Sequence, residues 1–381
     1  MSAPRSWDVF CRVVDNYGDA GVCWRLARRL VTLRGAPVRL WIDDLAALAP
    51  LVDGLDVARS RQVIEGIEVR RWPEEWTPMA PAQVCIEAFG CGLPEAYAEA
   101  LATARSLWIV LDYLSAEDWI DSHHGLPSPH PRLPVDRYYF FPGFTARTGG
   151  LLLEPGLLAR RGGHDDAARA AYWNALGYAM PAPDATVVSI FGYPDAPLEP
   201  LLRHWARGRT PVVVAVADGV LAAEAAAALG GRATPGGTWT RDALELRVLP
   251  FVPQSRYDAG LWSADFLFVR GEDSFVRAQW AARPFVWQIY AQAEDAHHLK
   301  LEAFLARYTA RLDAEATAGL TRLWRAWNRI GTAATDITAA WDACQTHRDT
   351  LARHGAAWAA ERAANGDLAE NLAEFCAGKL K

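Results

Sequence analysis

Val9-Phe10-Cys11-Arg12-Val13-Val14 runs into Asp15-Asn16-Tyr17-Gly18-Asp19, which opens onto Gly21-Val22-Cys23-Trp24-Arg25-Leu26-Ala27-Arg28-Arg29-Leu30. An apolar run, a tight turn and a helical stretch are the unit from which an open α/β sheet is built. Val22, Leu26, Leu30 and Leu33 recur at helical spacing, and Gly35 is placed to end the helix. Asp15 and Asp19 stand outside the carboxyl end of the strand, where such sheets hold their ligands. Far down the chain, Arg270-Gly271-Glu272-Asp273-Ser274-Phe275 repeats the arrangement after Phe266-Leu267-Phe268-Val269. Two acidic strand-to-helix turns in two α/β halves point to an enzyme whose substrate or product is charged.

The 381 residues are long for one core and comfortable for two domains. A hydrophobic fraction of 51% with 22% charged residues is that of a globular protein. The formal net charge of -6 argues against a general nucleic-acid binder, which carries a basic stripe. No apolar run approaches the ~18 residues of a membrane span. Met1–Trp7 lacks the apolar core of a signal peptide, so a cytoplasmic protein is expected, with neither nucleic acid nor membrane as partner. Of the six cysteines only Cys85 and Cys91 are near one another in sequence, their spacing fits no usual zinc pattern, and buried free thiols are expected throughout.

In the first half, candidate strands are Val9–Val14, Val38–Ile42, Ile67–Arg70, Val84–Ala88 and Trp108–Leu111, with His123–Pro134 as a loop. In the second, Thr186–Phe191, Val212–Val216, Leu244–Leu249, Phe266–Val269 and Phe285–Ile289 alternate with Ala/Leu-rich helical stretches. Nearly continuous apolar strands separated by helices indicate βαβ units and parallel sheets. The expected domains are a Rossmann-like unit over 1–156, a linker over 157–183, a second Rossmann-like unit over 184–350 and a helical tail over 351–381 that packs back on the first. Two such domains facing across a cleft form the GT-B glycosyltransferase architecture. Several epimerases and kinases share that outline, so fold leaves function open.

Elimination narrows the chemistry. Gly-x-Gly-x-x-Gly is absent after every candidate strand, and Asp15 and Asp19 would repel a pyrophosphate at the first helix, so a nicotinamide oxidoreductase is disfavoured. There is no Walker A segment, and no His/Cys/Asp spacing that requires a metal. Asp15 and Asp19 suit a general base or a holder of a cationic acceptor; alternatively Asp19 caps the helix and Asp15 shapes the turn. Asp273-Ser274 offers either a cap or, with the helix N-terminus and Arg270, a diphosphate site. Glu272 cannot touch phosphate and would face another group or brace Arg270. Four strand ends of the second half carry aromatic, amide or phosphate-capable groups: Phe191/Tyr193, Phe251/Gln254, Arg270–Ser274 and Tyr290/Gln292.

The run Phe10–Arg28 closely resembles the opening motif of the bacterial elongation factor P arginine rhamnosyltransferases. Arg270–Trp280, Pro284–Tyr290 and His297-His298-Leu299-Lys300-Leu301 resemble their second signature, and the likeness covers essentially the whole chain. The resemblance implies a GT-B enzyme that moves L-rhamnose from dTDP-β-L-rhamnose to an arginine of elongation factor P, with inversion and without a metal or other cofactor. It implies Asp19 as general base, Asp15 as companion carboxylate and Glu272 as a glutamate important for activity. It places Arg270, Asp273, Ser274, Tyr193 and Tyr290 on the donor diphosphate and sugar, and Phe191, Phe251, Gln254 and Tyr257 around the nucleotide. Tyr17 and Gly18 are counted with the donor-binding residues. The implied partner is the folded N-terminal domain of elongation factor P. Arg25, Arg28 and Arg29 beside the acidic turn are candidates for recognising it, or else an ordinary solvated helix face. Two other classes stay open: a nucleotide-sugar epimerase or small-acceptor transferase, and a non-catalytic nucleotide-binding module.

Overall fold

The computed structural model describes residues 4–15, 17–194, 196–291, 296–331 and 336–380. Asn16 and Gln292 of the motifs above lie outside the described residues. The chain divides into two compact units, Met1–Pro155 with Glu361–Lys381, and Gly156–Ala360.

The first unit begins with β1 (Trp7–Cys11), α1 (Tyr17–Arg34), β2 (Val38–Ile42), α2 (Leu45–Leu48), β3 (Arg61–Ile64), β4 (Ile67–Arg71), β5 (Val84–Ala88) and α3 (Glu95–Ala104). It continues with β6 (Leu107–Leu111), α4 (Ile120–His123), β7 (Pro127–Pro129) and β8 (Asp136–Phe140). The sheet order is β3-β4-β2-β1-β5-β6-β8-β7, parallel except for β3 and β7. Its six parallel strands follow the doubly wound 3-2-1-4-5-6 order, so the strand order reverses between β1 and β5. β1, β5 and β6 are buried along their whole length, which is why the sequence shows them as unbroken apolar runs. Asp8 is the exception inside β1. It is fully buried and satisfied by Arg39, the Trp41 indole, the Ala82 amide and the Tyr97 hydroxyl. Gly35, at φ +64°, ends α1 and donates to the Val31 carbonyl.

The second unit comprises α5 (Leu157–Gly162), α6 (Asp166–Ala175), β9 (Thr186–Ile190), α7 (Leu198–Arg207), β10 (Val212–Ala217), α8 (Val220–Ala228), β11 (Thr238–Arg241) and β12 (Leu244–Leu249). These are followed by α9 (Gln254–Trp262), β13 (Phe266–Arg270), α10 (Glu272–Ala281), β14 (Phe285–Gln288), α11 (Ala296–Thr309), α12 (Ala314–Trp327), α13 (Ile337–Thr346) and α14 (Arg348–Ala363). The order β11-β12-β10-β9-β13-β14 is again doubly wound, parallel except for β11, with its reversal between β9 and β13. The last helix, α15 (Leu368–Lys379), belongs to the first unit and packs on α1. Among the described residues no helix is long and apolar enough to cross a membrane. All six cysteines are free, and all but Cys91 are fully buried.

The expected loop His123–Pro134 holds the short strand β7, paired with β8, and the structure departs from the sequence-based boundaries at three further places. Where the sequence continues a strand to Val14, β1 stops at Cys11, because the following amides turn to side chains: Val13 N to Asp43 Oδ1 at 2.9 Å, Val14 N and Asp15 N to Asp19 Oδ2 at 2.8 Å each. The stretch 157–183 is no linker. Trp173 of α6 is buried under the Arg247 guanidinium at 5.0 Å, and Tyr178 donates to the Val248 carbonyl at 2.7 Å, so the segment is part of the second unit. The tail in the first unit starts at Glu361 rather than at 351, because Trp358 Nε1 donates to Gln279 Oε1 at 2.8 Å within the second unit. The antiparallel edge strands β3, β7 and β11 and the parallel β8 complete the sheets.

Candidate active site

In the first unit the acidic turn lies at the strand-order reversal. Asp19 opens the first turn of α1, yet its carboxylate points back to the loop and accepts from the Val14 and Asp15 amides, both at 2.8 Å. Asp19 is therefore more than a helix cap: it closes the loop that carries Asp15. The side chain is 2% exposed. Burial raises its pKa, and the carboxylate of Asp43 adds to the rise, while the two amides oppose it. Asp15 is also buried, and the Gly18 amide donates to its carbonyl at 2.6 Å. A Cβ on Gly18 would come within 2.6 Å of Asp15 Oδ2, so only glycine lets the carboxylate lie over this turn. Tyr17 and Gly18 are half-buried beside it.

In the second unit, Arg270 ends β13 with its guanidinium carbon 4.5 Å from the ring centre of Phe191 and 4.5 Å from that of Tyr193. Both rings belong to the loop after β9, so Arg270 is sandwiched and fixed in direction. Tyr193 meets Tyr290 edge-on at 5.7 Å, and Phe191 meets Phe251 and Tyr257 at 6.5 and 6.4 Å. The structure thus gathers five predicted aromatic residues and Arg270 around neighbouring strand ends. Gly271 follows at φ +65° and ψ -175°, a conformation left to glycine, and supplies no side-chain cap to α10. Its carbonyl accepts from Trp287 Nε1 at 2.9 Å. Glu272 begins α10 half-buried, with Asp273 and Ser274 buried behind it. Gln254 is only 3% exposed and its Nε2 donates to Asp273 Oδ2 at 3.0 Å, which braces the starts of α9 and α10 against each other. A deeper ion pair, Arg277 to Asp258 at 2.7 and 2.6 Å, joins the same two helices.

The structure corrects one expectation about the acceptor surface. Arg25 and Arg29 are buried: Arg25 pairs with Glu154 at 2.9 Å, and Arg29 with Asp367 and Glu370 at 2.9 and 2.8 Å. Arg28 pairs with Glu65 at 2.6 Å. These arginines fasten α1 to its surroundings, and Arg25 and Arg29 present no open basic face.

Sequence reasoning also passed over residues that hold the predicted ones. Gln288, at the end of β14, accepts from the Tyr193 amide at 2.7 Å, and a Cβ on Gly192 would meet its Oε1 at 3.0 Å. Asn328 anchors the next residues, accepting from Ile289 N at 3.0 Å and donating to the Trp287 carbonyl at 2.8 Å. Tyr113 and Phe89, beyond β6 and β5, stack at 4.4 Å. For Gln288, Tyr113 and Phe89 the available signal was their place at or just past a strand end.

Two doubly wound sheets, each with polar groups gathered at its strand-order reversal, define a GT-B glycosyltransferase; a solved glycosyltransferase of kitacinnamycin shares the fold at a TM-score of 0.55, 14% identity and full coverage of both chains. The model of the family described as elongation factor P (EF-P) rhamnosyltransferase EarP matches residues 7–377, and the chain belongs to that family. A protein-arginine rhamnosyltransferase of Pseudomonas putida is 48% identical over 380 residues, covering 98% of this chain and 99% of its own. A solved structure described as the structural basis for EarP-mediated arginine glycosylation of translation elongation factor EF-P aligns at a TM-score of 0.70 and 38% identity, over 98% of this chain and 99% of that one. Family membership sets aside the epimerase and the non-catalytic module.

Proposed function

We propose that this chain transfers L-rhamnose from dTDP-β-L-rhamnose to an arginine of translation elongation factor P, in the cytoplasm, with inversion at the anomeric carbon and without a metal. The observation that carries the reading is the pair of buried carboxylates, Asp15 and Asp19, on a turn closed by backbone amides. An arginine side chain stays protonated, with a pKa above ~12, and is a poor nucleophile. Paired acids orient such a group and disperse its charge, which a basic turn would not do.

In the proposed step a guanidino nitrogen forms a bond to the anomeric carbon while the bond from that carbon to the diphosphate oxygen breaks. Asp19 takes the proton that the nitrogen gives up, and Asp15 holds the remaining guanidinium charge. The departing dTDP takes the electron pair; Arg270, Ser274 and the N-terminus of α10 are suited to its phosphates. Phe191, Phe251 and Tyr257 are suited to the base, Tyr193 and Tyr290 to the sugar, and Glu272 to orienting the reacting groups. Displacement in a single step requires no covalent nucleophile.

The test is to incubate the chain with dTDP-rhamnose and elongation factor P and weigh the acceptor by mass spectrometry. One added deoxyhexose, mapped to an arginine, is the expected result. Donor turnover without acceptor modification would overturn the reading.

A further inference from the structure

We infer that Asp43 is a positioning residue for this reaction: its carboxylate ties the loop that carries Asp15, and that Asp19 closes, to the neighbouring strand end. The inference rests on the acidic turn being the acceptor site proposed above.

The loop after β1 has little packing to hold it. Cys11 is fully buried, but Arg12 and Val14 are exposed, Val14 to 61%, and Val13 is half-buried. The Arg12 guanidinium leans on the Trp72 ring at 5.3 Å, which steadies that side chain and leaves the path beyond it open. Hydrogen bonds set that path, on three successive amides. Val13 N donates to Asp43 Oδ1 at 2.9 Å, and Val14 N and Asp15 N donate to Asp19 Oδ2 at 2.8 Å each. The two carboxylates do different things. Asp19 stands in the first turn of α1, at the other end of the same turn, so its two bonds give the turn its shape but move with it. Asp43 comes from beyond β2, and its bond fixes the turn against the sheet.

Asp43 stands on a rigid mount. It follows Ile42, the buried last residue of β2, which pairs in register with Cys11. The Asp43 amide donates to the Cys11 carbonyl at 3.4 Å, and the Ile42 carbonyl accepts from Trp72 N at 2.8 Å. Asp44 then caps α2, accepting from the Ala46 and Ala47 amides at 2.8 and 3.3 Å, with Leu45 buried. The backbone is thus held before and after Asp43, and one short side chain reaches from it to Val13. A shift of the Val13 amide is carried two residues on to Asp15. That is the contribution a reaction needs from a group that does not itself touch the reacting atoms.

The experiment compares wild type, Asp43→Asn, Asp43→Glu and Asp43→Ala. It measures kcat and KM for elongation factor P, the melting temperature, and dTDP affinity by calorimetry. Asp43→Asn keeps an acceptor oxygen at the same reach and drops the charge; its kcat/KM should stay within about threefold of wild type. Asp43→Glu keeps the charge and carries the oxygens one methylene further; its kcat/KM should fall by about ten- to a hundredfold, the cost of misplacing an acceptor group by ~1 Å. Asp43→Ala loses both and should fall as far. Asp43 is exposed, so all three should melt close to wild type, and dTDP affinity should not change. If Asp43→Ala does not fold, the Asn and Glu variants carry the test. Asp43→Asn falling as far as Asp43→Glu, Asp43→Glu matching wild type, or losses that only follow a lower melting temperature would overturn the inference. The functional reading would survive any of these as long as wild type modifies the acceptor and Asp19→Asn does not; a wild type that leaves the acceptor unmodified would end both.

Discussion

Replacing Arg29 with alanine should loosen the C-terminal segment from the first unit, and the ion pairs set the size of the effect. Arg29 gives Nε and Nη2 to Asp367 Oδ2 at 3.0 and 2.9 Å and Nη2 to Glu370 at 2.8 Å. Arg29 and Asp367 are both 5% exposed at the side chain, whereas Glu370 is 53% exposed. The Glu370 bond is an exposed pair worth less than about 1 kcal/mol. The Asp367 bond is different, because its loss leaves a buried carboxylate without its cation, at a cost of about 3–5 kcal/mol. That carboxylate also accepts from the Leu153 amide at 2.8 Å and from the Glu370 amide at 3.4 Å, and burial already raises its pKa. Part of the penalty is therefore relieved by protonation, which favours the lower end of the range. For a domain of this size the melting temperature should fall by roughly 6–20 °C. Thermal melting together with limited proteolysis of residues 361–381 measures it. Glu370→Ala should cost little. Arg29→Met with Asp367→Asn should recover most of the loss, since the Asn Oδ1 still accepts from the Leu153 amide and no charge is stranded. If Arg29→Ala melted no lower than Glu370→Ala, the anchoring role of the buried pair would be refuted.

Five further outcomes are expected. Asp19→Asn should lower kcat by ~10²–10⁴-fold with dTDP affinity kept, and a loss below about tenfold would count against a base at this position. Because burial raises the pKa of Asp19, its ionised form costs the folded state stability as pH rises through that pKa; Asp19→Asn should melt higher than wild type at neutral pH, and the gap should close in acid. Arg270→Ala should weaken dTDP binding more than thymidine binding by calorimetry, and equal weakening would remove the phosphate role. Gly271→Ala forces a side chain into the glycine conformation before α10 at a cost of about 1–3 kcal/mol, and should lower both the melting temperature and dTDP affinity. An acceptor-loop peptide should react far more slowly than the folded domain of elongation factor P, and comparable kcat/KM would show that local sequence suffices.

Periodicity made the parallel cores legible because β1, β5, β6, β10 and β13 are almost wholly buried and read as apolar runs. The edge strands were not legible in the same way. β3 alternates exposed and half-buried residues, with Val63 68% exposed, so Arg61-Gln62-Val63-Ile64 has no apolar run to find. Its hairpin turn did leave a trace in Glu65-Gly66, both at positive φ. The acidic turn and the Arg270 loop were visible as residues, but their bonding was not. Nothing in the spacing of Asp15 and Asp19 shows that one closes the loop carrying the other. Charge alone also misleads, since Arg25 and Arg29 look like a basic face until Glu154 and Asp367, far away in sequence, are brought against them.

The bonding of Asp19 bears on how a carboxylate can serve a guanidinium at all. A free carboxylate, with a pKa of about 4, cannot deprotonate a resting guanidinium, whose pKa lies above ~12. It does not need to in the proposed step. As the nitrogen bonds to the anomeric carbon it leaves the delocalised plane, and its proton becomes acidic only then. The requirement on Asp19 is to be ionised, correctly placed and somewhat more basic than a carboxylate in water. Burial raises the basicity, while the two loop amides supply the placement and oppose the rise. Excess burial without those donors would leave a neutral acid; excess donors without burial would leave a weak base. The turn sits between the two, at a cost to folding that the Asp19→Asn melting comparison exposes.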